Sequence, residues 1–328
     1  MTTPSRTSPN QPWVMVTILG VGRSGTSAIT RGLAAIGVDL GDNLRPGSGK
    51  NPTGFFEDND FLKISRRLKR ALGIRAESVR LIEDEEYDLP VIRAIEDDCV
   101  EMIKRRFGAS PLWGYKYART SRFLPFFERV FERCGLEVRY VFALRNPISV
   151  ARSRQRLEPQ RGTQEKSDLE WLVNVVPYFE RARGTTCVFV DYDNVMADPS
   201  TELERMARGL GLPVDDKCRR EIAVYRDEYL KPGIRHSRFS IEDLDRSPNL
   251  NVLARDAFHW LWKLATDQIT FEDAAFWSDW RRIASRIDDL RPVLRHCDRI
   301  EAELRTAQMS PLGPLQAIPP LWHKWRAR

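Results

Sequence analysis

The chain has 328 residues, 42% of them hydrophobic and 30% charged with both signs interspersed, which fits a globular protein of one large domain with appendages or of two domains. Its formal net charge of +6 suits an anionic ligand or surface, and the lack of a concentrated basic stripe argues against nucleic acid as a partner. Five scattered cysteines with no C-x-x-C pair, and four histidines outside metal-ligand spacing, argue against a disulfide framework and against a bound metal.

Taken in chain order, "MTTPSRTSPNQP" at 1–12 is polar and proline-rich and has no apolar h-region, so it reads as a disordered tail and not as a signal peptide. No run reaches the ~18 apolar residues of a transmembrane helix, and the expectation is a reduced, cytoplasmic protein whose oligomeric state stays open, a homo-oligomer included. "WVMVTILGVG" reads as a buried strand entering a tight turn, and "TSAITRGLAAIG" as a helix closed at Gly37. "GDNLRPGSGKNPTGFFEDND" is a long loop of the kind that carries function. Helical patterns follow at 58–72 and 89–107, then a short strand in "PLWGYKYART" and an amphipathic helix in "SRFLPFFERVFERCG". "EVRYVFALRNP" is a second buried strand stopped by Pro147, which opens a helix at its favoured first position. "TTCVFVDYDNV" is a third buried strand and "PSTELERMARGLGLP" a helix. Strands alternating with helices predict an α/β domain over 13–248, a three-layer fold with a central parallel sheet. From 249 to 328 the chain turns rich in Trp and Arg at helical spacing, which predicts a helical C-terminal extension with an irregular tail.

The loop "GVGRSGTS", Gly20 to Ser27, carries the chemistry. Glycines let amides converge on an anion, and the following helix N-terminus adds partial positive charge. Three readings compete. A dinucleotide site needs an acid on the ribose ~20 residues later. Asp39 lies near that distance, but "GVDLGDN" is a poor strand. An ATP-dependent kinase needs a P-loop lysine, where this chain has Thr26 after Gly25, and a metal-binding acid, which Asp191 could supply.

The third reading takes two loops together. "GVGRSGTS" resembles the 5′-phosphosulfate loop of PAPS-dependent sulfotransferases, where PAPS is 3′-phosphoadenosine 5′-phosphosulfate. "YVFALRNPISVARSRQRL" resembles the 3′-phosphate motif of the same family, carried here by Arg145, Pro147 and Ser153. Arg145 ends a strand at the sheet's carboxyl edge and Ser153 lies two helical turns on, so both can reach one phosphate. "NPTGFFEDND", "WGYKYARTSRFLPFF", "CVFVDYDNVMADPSTELERMARGLGL" and "KPGIRHSRF" resemble further segments of the family, and the likeness covers about 14–240. Tyr117 and Ala118 depart from it, standing where many bacterial members have Asp and Pro. The resemblance implies a P-loop-like fold, PAPS as co-substrate, no metal, and a small-molecule or glycan acceptor, with carbohydrate or glycolipid first.

The resemblance also assigns residues. Gly22, Arg23, Ser24, Gly25, Thr26 and Ser27 would hold the phosphosulfate, Arg145 and Ser153 the 3′-phosphate, with Arg235 as a late addition and Tyr192 near the adenine. Arg23 would meet charge growing on the leaving group, or serve as a plain phosphate contact. Glu57 is the candidate general base, with Asp58, Lys116 and His236 as rivals; as a structural residue it would be a first-turn acid of the next helix. Lys116 and Arg119 read as acceptor-side contacts or as ordinary surface charges. Trp260, Trp262, Trp277 and Trp280 form either a sugar-stacking wall or, more commonly at helical spacing, core. A scaffold that binds nucleotide without catalysis is the remaining alternative.

Overall fold

The computed structural model describes residues 13–47, 54–230 and 238–309. Four parallel strands make one sheet: β1 (Trp13–Gly20), β2 (Leu112–Lys116), β3 (Leu136–Leu144) and β4 (Thr186–Asp191), in the order β2-β1-β3-β4. β1 runs beside β2 from Val14↔Leu112 to Ile18↔Lys116 and beside β3 from Trp13↔Leu136 to Gly20↔Ala143. β4 continues the sheet from Arg139↔Thr186 to Leu144↔Asp191. These strands read as near-continuous apolar runs because helices cover both faces. Val16, Ile18 and Val141 pack on one side with Ile29 and Leu33, and Leu19, Phe142 and Phe189 pack on the other.

Thirteen α-helices are described: α1 (Thr26–Ala35), α2 (Asn59–Ala71), α3 (Pro90–Phe107), α4 (Leu124–Arg133), α5 (Pro147–Leu157), α6 (Gln164–Val175), α7 (Tyr192–Ala197), α8 (Pro199–Gly209), α9 (Asp216–Val224), α10 (Ile241–Arg246), α11 (Val252–Ala265), α12 (Ala274–Asp289) and α13 (Arg291–Met309). α1 ends as expected: Gly37 takes φ 95, and its amide bonds Ala34 O while Val38 N bonds Leu33 O. α6 is a helix that periodicity does not reveal. Ser167, Asp168, Glu170 and Asn174 are buried on it along with Trp171 and Leu172, so no polar face marks the turn of 3.6 residues.

The chain leaves β1 toward β2 on one side and later returns to place β3 on the other. β1 and β3 therefore flank the switch point of the sheet, and the crevice beyond their carboxyl ends is where open α/β sheets bind ligands.

The segment from 249 onward has no core of its own among the described residues. Phe258, Leu261, Phe276, Trp277 and Trp280 join Phe142, Phe179 and Phe189 in one cluster. The Phe179 ring lies 4.3 Å from Trp280 and the Phe189 ring 5.1 Å from Phe271, centroid to centroid. Trp277 and Trp280 are thus core residues, and the partly buried Trp260 and Trp262 pack against that core. No described helix is long and apolar enough to cross a membrane.

Candidate active site

Three strand exits build the site. At the end of β1, the backbone of Gly20 passes so close to β3 that a Cβ would sit 2.6 Å from Ala143 O. The Gly20 amide donates to Ser121 Oγ at 3.2 Å, and the turn closes with Ser24 N donating to Val21 O at 3.2 Å. Gly22 is half-buried, and a Cβ there would meet nothing nearer than Ala118 at 3.9 Å. Gly25 enters α1 at φ 71, and a Cβ there would lie 2.0 Å from Cδ2 of Tyr192. Glycine is required twice over, for the left-handed backbone and for the close approach. No side chain caps α1, so the first amides of the helix, from Thr26 and Ser27 on, are open to an anion. Ser24 is buried, and its Oγ has no hydrogen-bond partner among the described residues.

Arg23 also lies in the left-handed region, at φ 79. A non-glycine residue held there costs ~1–3 kcal/mol, a strain that clusters at ligand-binding loops. Its Nε donates to Ser153 Oγ at 3.0 Å on α5. Arg145, directly after β3, donates from Nη1 to Arg23 O at 3.2 Å, and its guanidinium lies 4.7 Å over the Tyr192 ring. Four elements thereby bring Arg23, Arg145, Ser153 and Tyr192 into one chain of contacts. Burial, and then the neighbouring Arg145, pull the Arg23 guanidinium below its ordinary pKa. Tyr192 is buried beneath the loop, its ring against Gly25 and Arg145. Asn146 caps α5 and donates to Phe239 O and Ser240 O at 3.1 and 2.9 Å, fastening the segment that follows 231–237 to this edge.

At the end of β2, the buried Lys116 donates from Nζ to Phe55 O at 2.9 Å, to Glu57 Oε1 at 3.2 Å and to Ser27 Oγ at 3.4 Å. Ser27 Oγ itself donates to Phe55 O at 3.2 Å. Arg45 reaches the other oxygen of Glu57 at 3.3 Å, and its guanidinium lies 4.1 Å over Phe55. Desolvation lowers the Lys116 pKa, and the Glu57 carboxylate opposes that shift. A lysine–carboxylate pair thus stands against the first turn of α1, on the side of the loop away from Arg145.

The rivals are placed as plainly. Asp58 caps α2, accepting from Asp60 N and Phe61 N, and its carboxylate is clamped by Arg106 at 2.7 Å. Arg119 donates from Nε and Nη2 to Ala76 O at 3.0 and 2.8 Å, so it ties down a loop beside the site. Asp191 caps α7 through Asp193 N and Asn194 N. Asp39 accepts from Gly41 N and Ser110 Oγ, and its backbone makes an isolated bridge to β2 in place of the strand a dinucleotide domain needs. Tyr117 is buried, its ring parallel to Phe123. Arg235 and His236 lie outside the described residues, as do 48–53. Sequence reasoning passed over Arg45, Ser121 and Asn146. Asn146 has a local signal, the cap position before Pro147, whereas Arg45 and Ser121 reach the site through contacts distant in sequence.

No protein-family model matches the sequence, and none of the curated proteins matches it. Solved structures similar to this chain include sulfotransferases. The sulfotransferase domain from the Synechococcus PCC 7002 olefin synthase aligns at 16% identity and TM-score 0.41, over 88% of this chain and 98% of that one. The sulfotransferase domain from the curacin biosynthetic pathway aligns at 15% and 0.40, over 84% and 97%. Sulfotransferase STF9 from Mycobacterium avium aligns at 14% and 0.42, over 80% and 78%.

Proposed function

We propose that this chain transfers a sulfuryl group from PAPS to a hydroxyl of an acceptor, with carbohydrates and glycolipids as the first class to test. One observation carries the reading: Arg23, Arg145 and Ser153 gather on one flank of an uncapped helix N-terminus while Lys116 and Glu57 stand on the other. The residues fit the group. The buried Ser24 hydroxyl lacks a partner among the described residues, and no side chain caps the first amides of α1.

PAPS supplies an activated sulfuryl group and departs as 3′,5′-ADP. Arg145 and Ser153 would hold the 3′-phosphate by ion pair and hydroxyl. The amides and hydroxyls from Ser24 to Ser27 would hold the 5′-side anion at the start of α1. Arg23, anchored to Ser153 through Nε, would present a fixed cation to charge that grows on the leaving oxygen. Glu57, held by Lys116 and Arg45, would take the proton of the acceptor hydroxyl. Lys116 touches both Ser27 and Glu57, which would link the sulfuryl side to the acceptor side. The kinase alternative is weaker in this geometry, because the Asp191 carboxylate it needs for a metal is engaged in capping α7.

The test is incubation with sulfur-labelled PAPS and a panel of hydroxyl acceptors. Labelled product should form in step with 3′,5′-ADP. Phosphorylation of the same panel from MgATP, with no labelled sulfate ester, would reject the proposal in favour of a kinase.

A further inference from the structure

Phe56 stands directly before Glu57 at φ 51, in the left-handed region. For a side chain of this size that backbone is an outlier, and glycine would adopt it unstrained. The chain is fastened on either side of it. Phe55 O accepts from Ser27 Oγ at 3.2 Å and from Lys116 Nζ at 2.9 Å, and Glu57 O accepts from Arg45 N at 2.7 Å. The left-handed residue between these anchors lets one ammonium, that of Lys116, hold both Phe55 O and the Glu57 carboxylate. The Phe56 ring is itself held. It lies edge-on to Tyr229, with 5.7 Å between centroids and 72° between planes. Tyr229 stacks on Tyr225 at 5.5 Å and 21°. Tyr225 is fully buried, and its hydroxyl donates to Ala28 O in the first turn of α1 at 3.1 Å. Tyr225–Tyr229 form a π-turn, closed by Leu230 N on Tyr225 O at 3.1 Å, a wide turn of the kind found at functional sites. Contacts thus run from α1 through Tyr225 and Tyr229 to the residue before Glu57.

Resting on the assignment of Glu57 as the proton acceptor, we propose that Phe56 is a positioning residue: Tyr229 holds its ring, the ring holds the left-handed backbone, and that backbone aims Glu57 at the start of α1. A side chain needed only to fill the core has no use for positive φ. A turn needed only for its shape would use glycine, as the chain does two residues earlier with Gly54 at φ 106. Phenylalanine at position 56 supplies the ring that glycine lacks, at the cost of a strain of the kind that persists where the surroundings over-determine it. Because the aromatic stack stands on α1, it ties the loop that carries the base to the helix whose first amides face the donor. Transfer between groups held by two different strand exits depends on such a fixed relation, since small misplacements are costly in rate.

Amide hydrogen exchange and kinetics on the full chain test this together. Tyr229→Leu leaves Phe56 and Glu57 in place and removes the ring they lean on, whereas Phe56→Gly removes the other ring and relieves the backbone. Both should speed exchange of the Arg45 amide, the one bonded to Glu57 O, by about tenfold or more, and Phe56→Tyr should restore slow exchange. With labelled PAPS and a hydroxyl acceptor, both should lower kcat by about tenfold or more while the KM for PAPS and the melting protection by 3′,5′-ADP are kept. In a chain carrying Glu57→Gln, Phe56→Gly should cost less than about twofold, since a residue that acts through Glu57 then has nothing to act on. Unchanged Arg45 exchange in Tyr229→Leu overturns the positioning role, whether or not the chain transfers sulfuryl groups. Equal losses of turnover from Phe56→Gly with and without the Glu57 carboxylate overturn it too. Faster exchange in both variants, in a chain where Glu57→Gln turns over normally, supports the aromatic clamp and rejects Glu57 as the base.

Discussion

Arg23 combines a strained backbone, a hydroxyl anchor and a cationic neighbour, and that combination separates it from a surface arginine. If its guanidinium meets charge that grows during transfer, Arg23→Ala lowers kcat more than it raises the KM for PAPS. Steady-state kinetics with varied PAPS decides this, and a change confined to KM would make Arg23 a positioning residue. Glu57→Gln should bind 3′,5′-ADP normally and lose ~10²–10⁴ in turnover, the usual worth of a general base. A more acidic acceptor such as a phenol should recover part of that loss, whereas an orientation defect would persist with either acceptor. Arg23, Arg145 and Ser153 were legible in the sequence because each sits in a short motif at a strand exit. Glu57 and Lys116 were each singled out, but their pairing was not legible, because 59 residues separate them and no local pattern joins the two.

The elements place the site through their ends, and most ends have local signals: Asp58 before α2, Asn146 and Pro147 at α5, Asp191 at α7. Asp191 gives a pH test. Burial first, then the neighbouring Asp193, push its carboxyl up to about 7 against an ordinary value near 3.8. A group with a higher pKa in the fold than in the open chain stabilises the fold fully while pH lies below the open-chain value. That contribution is lost as pH rises through about 4 to about 7. Asn is as good a cap as Asp and carries no charge. Asp191→Asn should therefore gain stability relative to wild type as pH rises through that window, as read from urea midpoints at its two ends. A difference independent of pH would show that Asp191 titrates normally. Gly25→Ala should cost stability and nucleotide binding together, since its methyl collides with Tyr192, the ring beneath both loop and Arg145. Periodicity revealed α1, α2 and α3, whose faces divide polar from apolar, and concealed α6, whose polar residues are buried in ion pairs such as Arg154–Glu170 at 3.2 Å.

At the scale of the whole molecule, sheet and C-terminal helices share one aromatic core, which composition alone could not tell from two domains. Trp280 is fully buried against Phe179 and Phe276, and its Nε1 has no hydrogen-bond partner among the described residues. Trp280→Ala should cost ~3–5 kcal/mol and lower one common unfolding midpoint, seen alike by far-ultraviolet circular dichroism and by loss of nucleotide protection. Two separated transitions would mean that the extension is a unit of its own. The α/β class and the parallel sheet were legible as buried strands alternating with helices. The strand order was not, because pairing β1 with β3 rests on contacts more than a hundred residues apart.

If Arg145 and Ser153 hold a 3′-phosphate, thermal melting separates 3′,5′-ADP from 5′-AMP. A ligand that binds the folded chain raises stability by RT ln(1 + [L]/Kd), about 2.7 kcal/mol at a hundredfold excess over Kd. Protection should be strong with 3′,5′-ADP and weak with 5′-AMP at the same concentration, and the difference should vanish in Arg145→Ala. Equal protection of the wild type by both nucleotides would contradict a 3′-phosphate site.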